Sequence, residues 1–301
     1  MQEGYDLFDK ILVPLDGSKM AEAAIPWALM LAQKTYSKVI LIHVIEKSPP
    51  RTVHGDLHIK DPQSAKVYLE EIKNSFPSGI PVDIHVHTVP EGNVAASIAE
   101  HVKELGAKLT ILTAHGRQGI RGLILGSIGQ QVLRATYTPV LLLKADGVKK
   151  DLPKVNCILL PLDGTKQSEK AIPIASNMAE MLEARLLLLL VVPTIGTVRG
   201  DQAATARILP LATSAVLELE KDEATRYLED VRASLPEKID ANFKVLRGDP
   251  VEVVTQEATR PDIGLVVMAS HGHPGLSAIW SASVGSNVQY RIDKPMLLVR
   301  P

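Results

Sequence analysis

Ile11-Leu12-Val13-Pro14-Leu15-Asp16-Gly17-Ser18 returns as Ile158-Leu159-Leu160-Pro161-Leu162-Asp163-Gly164-Thr165, an offset of 147. Over positions 11–26, eleven of sixteen residues match their partners at that offset. Each copy is a short branched apolar run broken by Asp-Gly and a hydroxyl residue, which reads as a buried strand ending in a helix-capping turn. A second echo follows at an offset of 156: Leu112-Thr113-Ala114-His115-Gly116 against Met268-Ala269-Ser270-His271-Gly272. The period far exceeds the roughly 20–50 residues of solenoid repeats, so these are duplicated domains. With 301 residues, a prior of about 150 residues per domain agrees. The expected boundaries are 1–146 and 155–301, with residues 147–154, rich in Lys, Gly and Pro, as linker.

Composition narrows the class. A net charge of −1 with 33 basic residues spread along the chain offers no basic face for a phosphate backbone, so nucleic acid is not the expected partner. The single cysteine, Cys157, excludes an intrachain disulfide framework and suits a reducing compartment. Met1–Asp6 lacks the basic and apolar regions of a signal peptide. The longest apolar run, Leu186 to Pro193, falls short of the roughly 20 residues of a spanning helix. A cytoplasmic protein without membrane contact is expected.

Apolar runs alternate with helical patterns, the signature of βαβ units. The first half reads as strands Lys10–Leu15, Lys38–Val44, Pro81–Val89, Leu109–Thr113 and Pro139–Leu143. Its helices run from a Ser18 cap to Lys34, from Ala65 to Phe76, from an Asn93 cap to Glu104, and from Ser127 to Ala135. Pro26, and Pro173 in the second half, fall inside the first helix of each copy and predict a tolerated kink. The second half gives strands Cys157–Leu162, Leu186–Val192, Ala241–Leu246, Ile263–Met268 and Pro295–Val299. The offset rises by nine residues (156 − 147), and 193–213 is the expected location of most of them. The fold class is therefore α/β, with two tandem open parallel five-stranded sheets flanked by helices, of Rossmann type.

Such a sheet binds ligands outside the carboxyl ends of its strands, where the strand order reverses. Asp16, Val44 and His115-Gly116 converge there, and Gly126-Ser127 opens a helix whose free amides and dipole suit phosphate. The same residues also suit plain loop glycines and a structural cap. No G-x-x-x-x-G-K-[ST] run occurs and no G-x-G-x-x-G follows the first strand, which disfavours P-loop and dinucleotide chemistry. His85-x-His87 and His271-x-His273 are not joined in sequence by the further ligands of a zinc site. They read as solvated or outer-shell histidines, and Cys157 as a buried apolar side chain. The mixed charges from Leu217 to Asp230 read as the solvated face of a helix.

Ile11 to Ser18, Ile42-His43-Val44, Ala114-His115-Gly116 followed after nine residues by Gly126-Ser127, and Thr138-Pro139-Val140-Leu141-Leu142 together resemble the universal stress protein family. The resemblance covers both halves and implies an adenine nucleotide alpha-hydrolase-like fold. It also implies that ATP or AMP, with Mg as an accompanying ion, is held by Pro14, Leu15, Asp16, Val44, Thr113, His115, Gly116, Arg117, Gly126, Ser127 and Ile128. Asp16 would meet the ribose or adenine side, Val44 the adenine through its backbone, and Gly116 to Ile128 the phosphates. Thr113 stands where the family's first glycine falls and adds a branched side chain beside the ligand.

By the same resemblance the second half would use Pro161, Leu162, Asp163, Val191, Ala269, Gly272, Ala282 and Ser283. Ala282 replaces the glycine of Gly-Ser, and overpacking of that kind costs about 1–3 kcal/mol, roughly one to two decades in affinity. The second site is therefore expected to be weaker. The expected function is a nucleotide-binding stress or regulatory protein with no assigned catalytic residue. The alternatives are a slow ATPase or nucleotidyl-transferring enzyme using the same cleft, or a nucleotide-free interaction scaffold. The last strand of each half is short and apolar; the family resemblance implies that the domains pair through it as an intrachain pseudo-dimer, with a homodimer of chains also open.

Overall fold

The computed structural model describes residues 8–53, 55–114, 127–144, 152–198, 204, 208–270 and 281–300. It divides into two compact units, Met1–Lys154 and Val155–Pro301.

The first unit contains β1 (Lys10–Pro14), α1 (Ile25–Thr35), β2 (Lys38–Glu46), a small hairpin of β3 (Thr52–Val53) and β4 (Asp56–Leu57), α2 (Pro62–Asn74), β5 (Val82–Glu91), α3 (Val94–Glu104), β6 (Leu109–Ala114), α4 (Ser127–Ala135) and β7 (Val140–Lys144). Its five main strands lie in the order β5-β2-β1-β6-β7 and every pairing is parallel. Ile11, Leu12, Val13, Leu41, Ile42, Ile111 and Leu141 are fully or almost fully buried. Parallel sheets covered on both faces need such continuous apolar runs.

The second unit contains β8 (Cys157–Leu162), the short α5 (Lys166–Glu169), α6 (Ala171–Leu182), β9 (Arg185–Val192), α7 (Pro210–Ser234), β10 (Ala241–Arg247), α8 (Pro250–Ala258), β11 (Ile263–Ala269), α9 (Ser281–Arg291) and β12 (Met296–Val299). The order β10-β9-β8-β11-β12 reproduces that of the first unit, with parallel ladders throughout. The fold class expected from the sequence is thus observed. Among the described residues no helix is long and apolar enough to cross a membrane.

Two local expectations change. The first α-helix of each half begins later than expected, after a shorter helical turn, and the joining residues Ala24 and Lys170 keep right-handed helical backbone. Residues Ala21–Ala24 form a 3₁₀ turn and α1 starts at Ile25 with Pro26 in its first turn. In the second half α5 ends before Lys170, and α6 starts at Ala171. Proline lacks the amide an interior helical residue needs, so it sits where that amide has no partner to lose. The surplus length of the second half lies largely in a helix: α7 has 25 residues against 13 for α2. The segments before these helices, 47–61 and 193–209, are similar in length.

Candidate functional site

In each unit the strand order reverses beside the first strand, between β1 and β6 or between β8 and β11. Ile11 pairs with Leu109 and Leu12 with Thr110; continued, this register sets Leu15 level with Thr113. In the second unit Ile158 pairs with Leu265 and Leu159 with Val266, which sets Leu162 level with Ala269. Pro14, Leu15, Asp16 and Thr113 therefore gather at one end of the first sheet. Pro161, Leu162, Asp163 and Ala269 do so in the second.

The turn after the first strand has the same construction twice. Asp16 Oδ1 accepts from the Ser18 amide at 2.9 Å and from Ser18 Oγ at 2.6 Å. Asp163 Oδ1 accepts from the Thr165 amide at 2.9 Å and from Thr165 Oγ1 at 2.6 Å. Each hydroxyl oxygen in turn accepts an amide three residues on, that of Ala21 at 3.1 Å or Ser168 at 3.2 Å. The intervening glycines have φ of +88° and +75°, in the left-handed region where a Cβ is costly. One carboxylate oxygen is thus committed to the turn in both units.

Val44 is placed by register. The Leu15 amide donates to the Ile42 carbonyl at 2.8 Å, and β1 ends at Pro14. In a parallel ladder every second residue directs its backbone to the same neighbour, so the Val44 backbone faces the side that β1 has vacated. Val191 holds the matching place in β9, two residues beyond Leu189, which pairs with Pro161. Ile128, in the first turn of α4, is exposed. His115, Gly116, Arg117, Gly126 and Gly272 lie outside the described residues, as do the side chains of Ser127, Ala282 and Ser283.

The structure adds partners that the sequence reading lacked. In the first unit a strap containing β3 and β4 closes on the turn. Asp56 Oδ2 accepts the Lys19 amide at 2.8 Å, and Ile59 lies so close that a Cβ on Gly17 would stand 2.8 Å from its Cδ1. A Cβ on Gly164 meets nothing within 4 Å among the described residues. His43 is 1 % exposed; its Nδ1–H donates to the Leu15 carbonyl at 2.8 Å, while its Nε2 has no hydrogen-bond partner among the described residues. Burial holds this imidazole below its ordinary value, against the opposing pull of the Leu15 carbonyl and Asp16. Beside each turn a tyrosine of the second helix, Tyr68 or Tyr227, is pushed up by burial and by Glu22 or Glu169 with the turn aspartate. The Tyr68 hydroxyl lies 3.5 Å from Glu22 Oε1. Both tyrosines recur in the repeat, but at an offset of 159 (227 − 68) that the motif comparison does not reach.

Such a site offers a carboxylate turn, a backbone edge at the strand end and an apolar floor, and among the described residues no group of three or more His, Cys, Asp or Glu side chains could hold a metal ion. The universal stress protein family model matches residues 7–144 and again 155–300. The chain belongs to the universal stress protein family. A two-domain universal stress protein of Mycolicibacterium smegmatis is 25 % identical over 304 residues, covering 97 % of both chains. The single-domain universal stress protein YxiE of Bacillus subtilis is 27 % identical over 148 residues, 46 % of this chain and 100 % of its own. A solved universal stress protein of Archaeoglobus fulgidus shares the fold, with a TM-score of 0.63, 16 % identity, and coverage of 100 % of this chain and 99 % of its own.

Proposed function

We propose that the first unit of this universal stress protein binds an adenine nucleotide, ATP or AMP, at the carboxyl ends of β1 and β6. The observation that carries this reading is the reversal of strand order beside β1, where the Asp16 turn lies beside the backbone of Val44 at the end of β1. The adenine amine and ring nitrogen are matched by one backbone carbonyl and one amide, and the Asp16 carboxylate suits a ribose hydroxyl. The phosphates would extend toward 115–128, with Gly116, Arg117, Gly126, Ser127 and Ile128 around them and magnesium accompanying ATP. Pro161, Leu162, Asp163, Val191, Ala269, Gly272, Ala282 and Ser283 form the weaker copy. The protein acts in the cytoplasm as a stress-response or regulatory element that holds nucleotide without an efficient catalytic cycle. The apolar β7 and β12 support pairing of the two halves as a pseudo-dimer, and light scattering on the purified chain tests whether two chains join further.

Purification without added nucleotide, followed by denaturation and chromatography of the released small molecules, tests the reading. An adenine nucleotide in the extract, or one taken up in later titration with ATP or AMP, is the expected result. A wild-type chain that neither carries nor takes up any adenine nucleotide would overturn it.

A further inference from the structure

The second unit carries an apolar helix face that stands exposed. In α7, Leu211, Ala212, Ala215, Val216 and Leu219 recur at helical spacing and share one side. All five are exposed, Leu211 at 88 %, Val216 at 51 % and Leu219 at 61 % of their full surface. The buried residues of the same helix, Leu217, Ala224, Leu228 and Val231, lie on the opposite side. Ile208 and Leu209, just before the helix, are exposed as well. A surface helix ordinarily has one apolar stripe, turned to its own core. This one has a second, turned outward.

The stripe belongs to the part of α7 that the first copy lacks. Aligned on Tyr68 and Tyr227, α7 has eleven more residues than α2 before its tyrosine (227 − 210 against 68 − 62), so 210–220 is an extension at the N-terminus. Leu211 to Leu219 lie wholly within it. The two helices also start differently. In α2 the Asp61 side chain accepts the Ser64 amide at 2.8 Å. No side chain caps α7, which begins at Pro210, and the amides of Leu211 and Ala212 have no helical carbonyl behind them.

Charge along the stripe selects the occupant. From Ile208 to Leu217 the chain has no charged residue. Past Leu219 the same side continues as Asp222, Glu223 and Arg226, so carboxylates follow the apolar stretch, while the uncapped start carries the positive end of the helix dipole. Two such helices laid antiparallel about a two-fold axis at Ala215 bring Leu211 of one against Leu219 of the other. Asp222 and Glu223 of each then reach the start of the other helix. Ala212 and Ala215 keep the centre low enough for close approach. A parallel pair would instead set carboxylates against carboxylates. This self-complementarity is what a two-fold contact between identical chains requires. An anionic lipid surface would call for Lys and Arg along the stripe.

We propose that the N-terminal half of α7 is a dimerisation surface whose partner is α7 of a second copy of this chain, packed antiparallel. Ile208, Leu209 and the five stripe residues bury on the order of 500 Å² on each chain by the usual apolar area of such side chains. The total, about 1,000 Å², stands at the low end for specific contacts, so the dimer is reversible. The surface includes none of the residues assigned to nucleotide and no part of β7 or β12.

Sedimentation velocity on the full-length chain over a concentration series is expected to show a reversible monomer–dimer equilibrium. Leu211→Glu/Leu219→Glu, at exposed positions away from the core face, sets carboxylates against one another across the axis. It should raise the dimer Kd by about tenfold or more and leave thermal unfolding unchanged. Asp222→Asn/Glu223→Gln should raise it about two- to fivefold through the lost contact with the helix start. The native Cys157 is buried, so the thiol introduced by Ala215→Cys is the exposed one. Under mild oxidation it should link two chains faster than Leu57→Cys, at an exposed position of the first unit. A wild type that stays monomeric, leaving the stripe to another protein or a lipid surface, would overturn the proposal. So would a dimer unmoved by Leu211→Glu/Leu219→Glu, or linkage by Ala215→Cys no faster than by Leu57→Cys.

Discussion

Replacing Gly17 and Gly164 by alanine separates the two copies of the turn energetically. Both glycines have left-handed φ, +88° and +75°, so each alanine carries a backbone cost of roughly 1–2 kcal/mol that cancels in the comparison. The surroundings differ. On Gly17 the new Cβ would stand 2.8 Å and 2.9 Å from Ile59 Cδ1 and Cγ1, well inside the ~3.5–4.0 Å of a comfortable carbon contact. On Gly164 it meets nothing within 4 Å among the described residues. Overpacking costs about 1–3 kcal/mol in general, and the end of Ile59 is a half-buried chain able to swing aside. We therefore expect Gly17→Ala to cost about 1–2 kcal/mol more than Gly164→Ala, each referred to its own unit. Hydrogen exchange on peptides from β1 and β2, and separately from β8 and β9, reads the two units independently. Gly17→Ala/Ile59→Ala should cost about 1 kcal/mol less than the sum of its single variants, since the clash needs both residues. Equal costs at the two glycines, or strict additivity with Ile59→Ala, would refute the placement of the strap over the turn.

Three further outcomes follow from the same contacts. Ser18→Ala and Thr165→Ala each remove a hydroxyl that bonds the turn aspartate and accepts a helix amide; each should cost about 0.5–2 kcal/mol in its own unit by denaturant titration. Burial holds His43 below the ordinary imidazole value of 6.5, so below that pH the unfolded chain takes up a proton that the folded ring resists, and stability falls. His43→Gln should flatten the stability-versus-pH curve below 6.5, and an unchanged slope would contradict the buried, neutral ring. Asp61→Ala removes the acceptor of the Ser64 amide at 2.8 Å and should lower first-unit stability, measured by thermal unfolding.

The sheets were legible because buried parallel strands must be apolar along their whole length, as Ile11 to Val13 and Leu186 to Val192 are. The Asn93 cap was also legible, and its Oδ1 does accept the Ala96 amide at 3.1 Å. The hairpin at 52–57 was not, since two-residue strands leave no alternation to read. The contacts of the His101 ring with His85 and His87 were not legible, because they depend on the phase of α3 and the register of β5, neither of which is local in sequence. The Ile59 contact with Gly17 was hidden for the same reason. Asp16, Val44 and Thr113 were found by motif, and their positions at one end of the sheet follow from strand order. The residues proposed to meet the phosphates, at 115–126, lie outside the described residues.

The central claim is a nucleotide site at the carboxyl ends of β1 and β6, with a weaker copy beside β8. Calorimetric titration of ATP and AMP into the full-length chain, repeated with Gly126→Val and with Ala282→Gly, tests it most directly. One strong site that disappears in Gly126→Val, and a second site strengthened by about one to two decades in Ala282→Gly, is the predicted result. Undiminished binding in Gly126→Val would contradict the account.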